Sequence, residues 1–154
     1  MINYRIEIND DPSSQEAQTI IDGLVHYNTV MAGESQNTPL SVIVRNVNGE
    51  IIGGLLGRTY WSWLHINTIW VKDHFRQKGI GKKLIESAEK EAVDRNCRCS
   101  FLDTYDFQAK LFYQKLGYET IYVIDDWPDG HQRIFMKKHL KSEPVFNKPV
   151  EQTA

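Results

Sequence analysis

Cysteine is scarce in this chain. Only Cys97 and Cys99 carry thiols, and residues two apart have poor geometry for a mutual disulfide. No second pair completes a zinc site, so neither a metal nor a disulfide framework is expected. Long hydrophobic runs are also missing. The longest strongly apolar stretch, residues 51–56, contains Gly53 and Gly54 and falls far short of the ~20 residues that cross a bilayer. Met1-Ile2-Asn3-Tyr4-Arg5 lacks the basic-then-apolar order of a secretory signal. Charge of one sign is absent too: 18 Lys plus Arg against 20 Asp plus Glu leave a formal charge of −2, which disfavours a globally basic nucleic-acid binder. The expectation is a soluble, cytoplasmic protein of a reducing compartment, with no membrane and no nucleic-acid partner.

What is present suffices for one domain. A chain of 154 residues can bury about two thirds of its unfolded surface without staples. Period-two alternation of Ile2, Tyr4, Ile6 and Ile8 predicts a first strand. Ser13 and Glu16 have capping-box spacing, and Ala17, Ile20, Ile21 and Leu24 keep helical spacing to about Met31, with Gly23 a candidate kink. Residues 42–47 and 51–56 flank Asn48-Gly49, the pair suited to a type I′ turn, and a third strand follows from Trp63 to about Lys72. Gly79 to about Arg95 reads as an amphipathic helix with Ile80, Leu84, Ile85, Ala88 and Ala92 on one face. A short strand at 100–103, a helix over Ala109–Leu116 ended by Gly117, and two strands around Pro128-Asp129-Gly130 complete the series. The predicted order is β-α-β-β-β-α-β-α-β-β, an α/β fold with a mixed sheet. Residues 1–140 are expected to form a single domain and 141–154 a tail, loose or held by a partner.

The chemistry concentrates between Ile69 and Leu84. A strand ends, a loop carries Arg76 and Lys78, and Gly79 and Gly81 open a helix bearing Lys82 and Lys83. Unpaired amides at a helix start, a partial positive charge there and glycines that admit close approach together describe an anion site. A dinucleotide fingerprint would need a third glycine where Leu84 stands, and Gly81-Lys82-Lys83 lacks the Ser or Thr of a Walker loop.

The run Arg76-Gln77-Lys78-Gly79-Ile80-Gly81 resembles the Arg/Gln-x-x-Gly-x-Gly/Ala signature of the GNAT superfamily of acetyl-CoA-dependent N-acetyltransferases. Residues 109–118, Ala-Lys-Leu-Phe-Tyr-Gln-Lys-Leu-Gly-Tyr, resemble that family's Ala-x-x-Phe-Tyr-x-x-Leu-Gly-Phe segment. The element order over residues 2–140 is similar as well; the tail lies outside the resemblance. The resemblance implies acetyl-CoA as cosubstrate, with its pyrophosphate on the amides of Gln77–Lys82 and its pantetheine arm beside Ile69 and Val71. It also implies central strands that splay to admit the thioester.

It further implies Tyr113 as the phenol that protonates the CoA sulfur. His65 is a candidate base on the third meander strand, where alternation predicts that it shares a side with Asn67, Ile69 and Val71. Glu34 and Asp103 are held in reserve for that role, and a strand amide, Val71, is expected to polarise the thioester. One departure is that Asp106 stands where the family often has an Asn that contacts CoA; Gln108 could replace it as an amide donor. The acceptor would meet Glu34, Tyr60, Trp61, Trp63, Asp125, Asp126 and Trp127, a set of rings and carboxylates suited to a cationic amine, whether small molecule or peptide. A CoA-binding or interaction module without turnover is the alternative. Aromatic residues of the meander offer a surface on which a homodimer could form.

Overall fold

A computed structural model describes residues 2–140 and resolves two compact units, one up to Ser35 and one from Gln36 onward. In the first unit, helix α1 runs from Ser14 to Ala32. Its capping box is formed: Ser13 Oγ accepts from the Glu16 amide at 3.1 Å, and Glu16 Oε2 accepts from the Ser13 amide at 2.8 Å. Gly23 leaves the helix continuous. Residues 2–9 form no strand, which corrects the alternation reading. Alternation sorts side chains onto two faces, but a strand also needs a neighbour's amides and carbonyls, and these residues join no ladder among the described residues.

The second unit contains six strands: β1 (Thr38–Arg45), β2 (Ile51–Tyr60), β3 (Trp63–Val71), β4 (Cys99–Tyr105), β5 (Glu119–Asp125) and β6 (Gln132–His139). Helix α2 (Ile80–Asp94) joins β3 to β4, and helix α3 (Lys110–Lys115) joins β4 to β5. The spatial order is β1-β2-β3-β4-β6-β5, antiparallel throughout except for β3 beside β4. Parallel neighbours need a crossover, and α2 supplies it. Its buried face, Leu84, Ile85, Ala88 and Ala92, is the one read from the helical period, and it joins a core with Leu40, Leu55, Leu64 and Ile66. A fully buried leucine such as Leu84 contributes about 2 kcal/mol through its apolar area. The expected α/β mixed sheet is therefore present, without its first strand.

Two turns exchange their expected geometries. At Asn48-Gly49 only Gly49 has positive φ (82°), and Asn46 Oδ1 accepts from the amides of Asn48 and Glu50, both at 3.0 Å. The paired positive φ values of a two-residue turn occur at Trp61 (43°) and Ser62 (61°), between the paired residues Tyr60 and Trp63.

Two irregularities in β3 shape everything beyond it. The first is a bulge: Leu56 faces Thr68, but Gly57 faces Ile66, so Asn67 is an extra residue. Leu64 and Ile66 lie in the core before the bulge; Ile69 and Val71 pack against it afterwards. His65 consequently points to the face opposite Ile69 and Val71, which corrects the expected shared side. Of the three residues expected beside it, only Asn67 remains near, with its Nδ2 3.4 Å from His65 Nδ1.

The second irregularity is a parting of strands. β3 and β4 pair only from Trp63–Cys99 to Ile66–Leu102. Beyond that point β3 continues along β2 to Val71, and β4 continues along β6 to Tyr105. The bulge leaves no room for a side chain on its partner, since a Cβ on Gly57 would lie 2.4 Å from the His65 carbonyl oxygen. Gly57→Ala is therefore expected to cost about 2 kcal/mol, read as a lower urea midpoint with an unchanged slope.

Candidate active site

Where β3 and β4 separate, a cavity of about 960 Å³ opens between them, within the range of small-molecule sites. One end is the start of α2. Gly79 caps that helix in the left-handed conformation (φ 80°), Gln77 is also left-handed (φ 59°), and no side chain caps the helix. The first intrahelical bond is Lys83 N–H to Gly79 O at 3.1 Å, so the amides of Ile80, Gly81 and Lys82 have no acceptor within the helix. No acidic residue occupies the first turn. Arg76 braces the loop: Nε donates to Val71 O at 3.1 Å, and Nη2 pairs with Asp73 Oδ1 at 2.8 Å. Lys82 lines the cavity, whereas Lys78 turns its ammonium over the Phe75 ring at 5.4 Å, outside the lining.

The strand edge forms the next wall. Lys72 N–H donates to Ile52 O at 2.9 Å. Stepping back by the two-residue period of an antiparallel ladder, Trp70 and Thr68 also turn their amides and carbonyls to β2. Those of Ile69 and Val71 turn the other way, into the gap that β4 has left.

α3 supplies the opposite wall. Gly81 lets it approach, since a Cβ there would stand 3.2 Å from Phe112. Beside Phe112, Tyr113 is buried against Phe112 and Tyr118 and lines the cavity. Burial pushes its phenol up to about 12, with Asp103 adding to the rise. Asp103 lines the cavity as well and accepts from Arg133 Nε at 2.7 Å. His65 stacks flat on Phe101 with ring centres 4.1 Å apart; burial lowers its pKa, Asp103 acts to raise it, and Arg58 acts to lower it.

The remaining sequence candidates scatter. Arg76, Gln77, Gly79, Ile80, Gly81 and Lys82 line the cavity together with Ile69, Val71 and Tyr113. His65, Trp61, Trp63 and Trp127 do not. Trp63 lies edge-on to Phe101 at 6.1 Å, Trp127 covers the Arg133 guanidinium at 4.3 Å, and Trp61 occupies the β2–β3 turn. Glu34 follows the end of α1 in the other unit. Asp106 is not in the lining; its Oδ1 stands 3.1 Å from His131 Nδ1. Gln108 lines the cavity and its Oε1 accepts from Thr104 Oγ1 and the Tyr105 amide, both at 3.1 Å, so the amide donor expected there is its Nε2. Among the described residues no cluster of His, Cys, Asp and Glu could hold a metal, and no helix is long and apolar enough to cross a membrane.

With this geometry in view, the chain belongs to the GNAT family of acetyltransferases, whose family model matches residues 6–118. It is 30% identical over 133 residues to the acetyltransferase Atu2258 of Agrobacterium fabrum, covering 86% of this chain and 97% of that protein. Blasticidin-S acetyltransferase of Streptomyces morookaense is 41% identical over 93 residues, 60% of this chain and 68% of that one. The crystal structure of an acetyltransferase from Bacillus cereus ATCC 14579 superposes with a TM-score of 0.77 at 32% identity, covering 86% of this chain and 97% of that one. The protein is thus an acyltransferase of a family whose general acyl donor is acetyl-CoA.

The lowered His65 pKa has a consequence for stability. Its folded-state value lies below its unfolded one, so its contribution is complete above the unfolded value of about 6.5 and is lost as pH falls below it. Urea titrations between about pH 7.5 and 5 should show a steeper acid loss in the wild type than in His65→Gln.

Proposed function

We propose that the protein transfers an acetyl group from acetyl-CoA directly to a primary amine through a tetrahedral intermediate, with no covalent enzyme intermediate. One observation carries this reading: a single cleft joins an uncapped, glycine-led helix start to a buried phenol along a strand edge with free amides. The diphosphate of the donor would accept from the amides of Ile80, Gly81 and Lys82, with Arg76 and Lys82 adding charge and Gln77 and Gly79 shaping the approach. The pantetheine amides would pair with Ile69 and Val71 as an added strand does. The Val71 N–H would then polarise the thioester carbonyl as its oxygen gains charge.

The role of Tyr113 follows from magnitudes. A thiol titrates near ~8.5. A phenol whose pKa burial pushes up to about 12 holds its proton more firmly than such a thiol. Tyr113 accordingly acts by donating a hydrogen bond to the sulfur as thiolate charge develops. A hydrogen bond to a charged group is worth about 1.5–3 kcal/mol. His65, whose pKa burial lowers, is the candidate acceptor for the amine's proton, on the sheet face that also carries Phe101 and Asp103. The kinship with blasticidin-S acetyltransferase favours a small-molecule acceptor over a peptide.

Acetyl-CoA at about a thousand times its Kd should stabilise the protein by about 4 kcal/mol through linkage, read as a raised melting temperature. Tyr113→Phe should lower kcat roughly 10- to 100-fold in a thiol-release assay while leaving the Kd for acetyl-CoA within about twofold. Acetyl-CoA binding without thiol release across a broad amine panel would favour a binding module instead.

A further inference from the structure

Helix α1 has an apolar side that it buries nowhere. Ile20, Leu24, Tyr27 and Met31 recur at helical spacing along one face and are 60–71% exposed, and Ile21 and Val25 widen the stripe. The opposite side is polar, with Gln18 Nε2 donating to Asp22 Oδ1 at 2.6 Å. None of the helix's residues is buried, and its unit holds no second helix or strand among the described residues. A continuous apolar stripe of this size marks an interaction surface. Helices that lie on lipid meet it with Lys and Arg on their polar side, and Ser14–Ala32 contains neither. The fitting partner is another protein surface.

The sheet carries a surface of that kind. Val42, Leu55, Ile69 and Val71 pack towards the core, so Ile43, Leu56 and Trp70 turn to the face away from α2. These three are 50%, 56% and 47% exposed. Ile43 pairs with Gly54, and Gly54 pairs with Trp70, so the glycine separates the two large side chains in one row. A Cβ on Gly54 would meet only the Val42 carbonyl oxygen within 4 Å. The row is therefore a trough with apolar walls and a glycine floor.

We propose that α1 of one copy seats in this trough on a second copy of the chain, and that the exchange is reciprocal, giving a two-fold dimer. An apolar helix stripe and an apolar sheet face each need a covering layer, and helix on sheet supplies it to both. One two-fold axis repeats the contact, so neither copy is left with an open face. The six apolar side chains of the stripe offer roughly 400 Å² per helix. Two helices and the faces that receive them bury on the order of 1,600 Å², the scale of a stable interface. Trp70 also lines the cleft between β3 and β4, so the seated helix lies against one of its walls. The assignment does not depend on the transferase reading.

The test is sedimentation velocity on the full chain, from about 1 to 100 µM, because a dimer answers to protomer concentration. The wild type should sediment as a dimer. Leu24→Glu, on the helix stripe, and Ile43→Glu, on the trough wall, should each sediment as monomers with unchanged far-UV circular dichroism, since either would bury an unpaired charge in both contacts. Mixed in equal amounts, the two variants should recover a dimer, because the intact helix of one meets the intact trough of the other. If either charged variant does not fold, Leu24→Ala or Ile43→Ala takes its place and should raise the dimer Kd at least about tenfold.

A wild type that stays monomeric throughout this range overturns the proposal. A dimer that survives both substitutions lies on another surface and overturns it too. Loss of the dimer in one variant alone means a different pairing, such as helix against helix, and overturns the exchange, as does a mixture that remains monomeric. None of these results bears on thiol release, so the transferase reading stands or falls by its own assay.

Discussion

β3 and β4 can part because each is satisfied on its outer side. β3 keeps its ladder to β2 as far as Val71, and β4 keeps its ladder to β6 as far as Tyr105. α2 covers the paired half of both strands with Leu84 and Ile85, so the sheet does not come apart where it is joined. The groups left over are the inward backbone amides and carbonyls of Ile69 and Val71. Paired groups are the rule in folded proteins, so a strand edge kept open inside a sheet offers its groups to water or to a bound chain. Arg76 claims one of these groups, the Val71 carbonyl, and thereby ties the loop that opens α2 to the strand that borders the gap.

Opposing electrostatic effects at the far end of the gap converge on neutrality. Burial raises the Tyr113 phenol and lowers the His65 imidazole, since each loses hydration of its charged form. Asp103 pushes both upward, reinforcing the first effect and opposing the second. At neutral pH the phenol therefore keeps its proton, and burial dominates at the imidazole. A phenol biased towards its protonated form and an imidazole biased towards its neutral form are thus held on opposite faces of one parted sheet, with the Asp103 carboxylate acting on both.

Legibility in the sequence followed distance along the chain. The glycines and helix start from Arg76 to Gly81 are legible because their geometry is local, whereas Tyr113 stands out only through the resemblance of residues 109–118 to a GNAT segment. The α2 core face was readable from period alone. The bulge at Asn67 was not, because its cause is Gly57 on the neighbouring strand, and simple alternation carried His65 to the wrong face. A glycine inside a strand pattern was the available signal. The strand expected at residues 2–8 failed for a related reason, since pattern does not supply a partner. Asp103 acquires its orientation only from Arg133, thirty residues later, and Asp106 is taken up by His131 across a comparable separation.

The two-sided character of β3 leaves a signature in isotope exchange. The amides of Thr68, Trp70 and Lys72 are locked to β2, while those of Ile69 and Val71, one residue away in each case, face open space. Deuterium uptake along this strand should alternate residue by residue, slow then fast. A molecule lying in the gap would erase that alternation by acting as the strand that the fold omits.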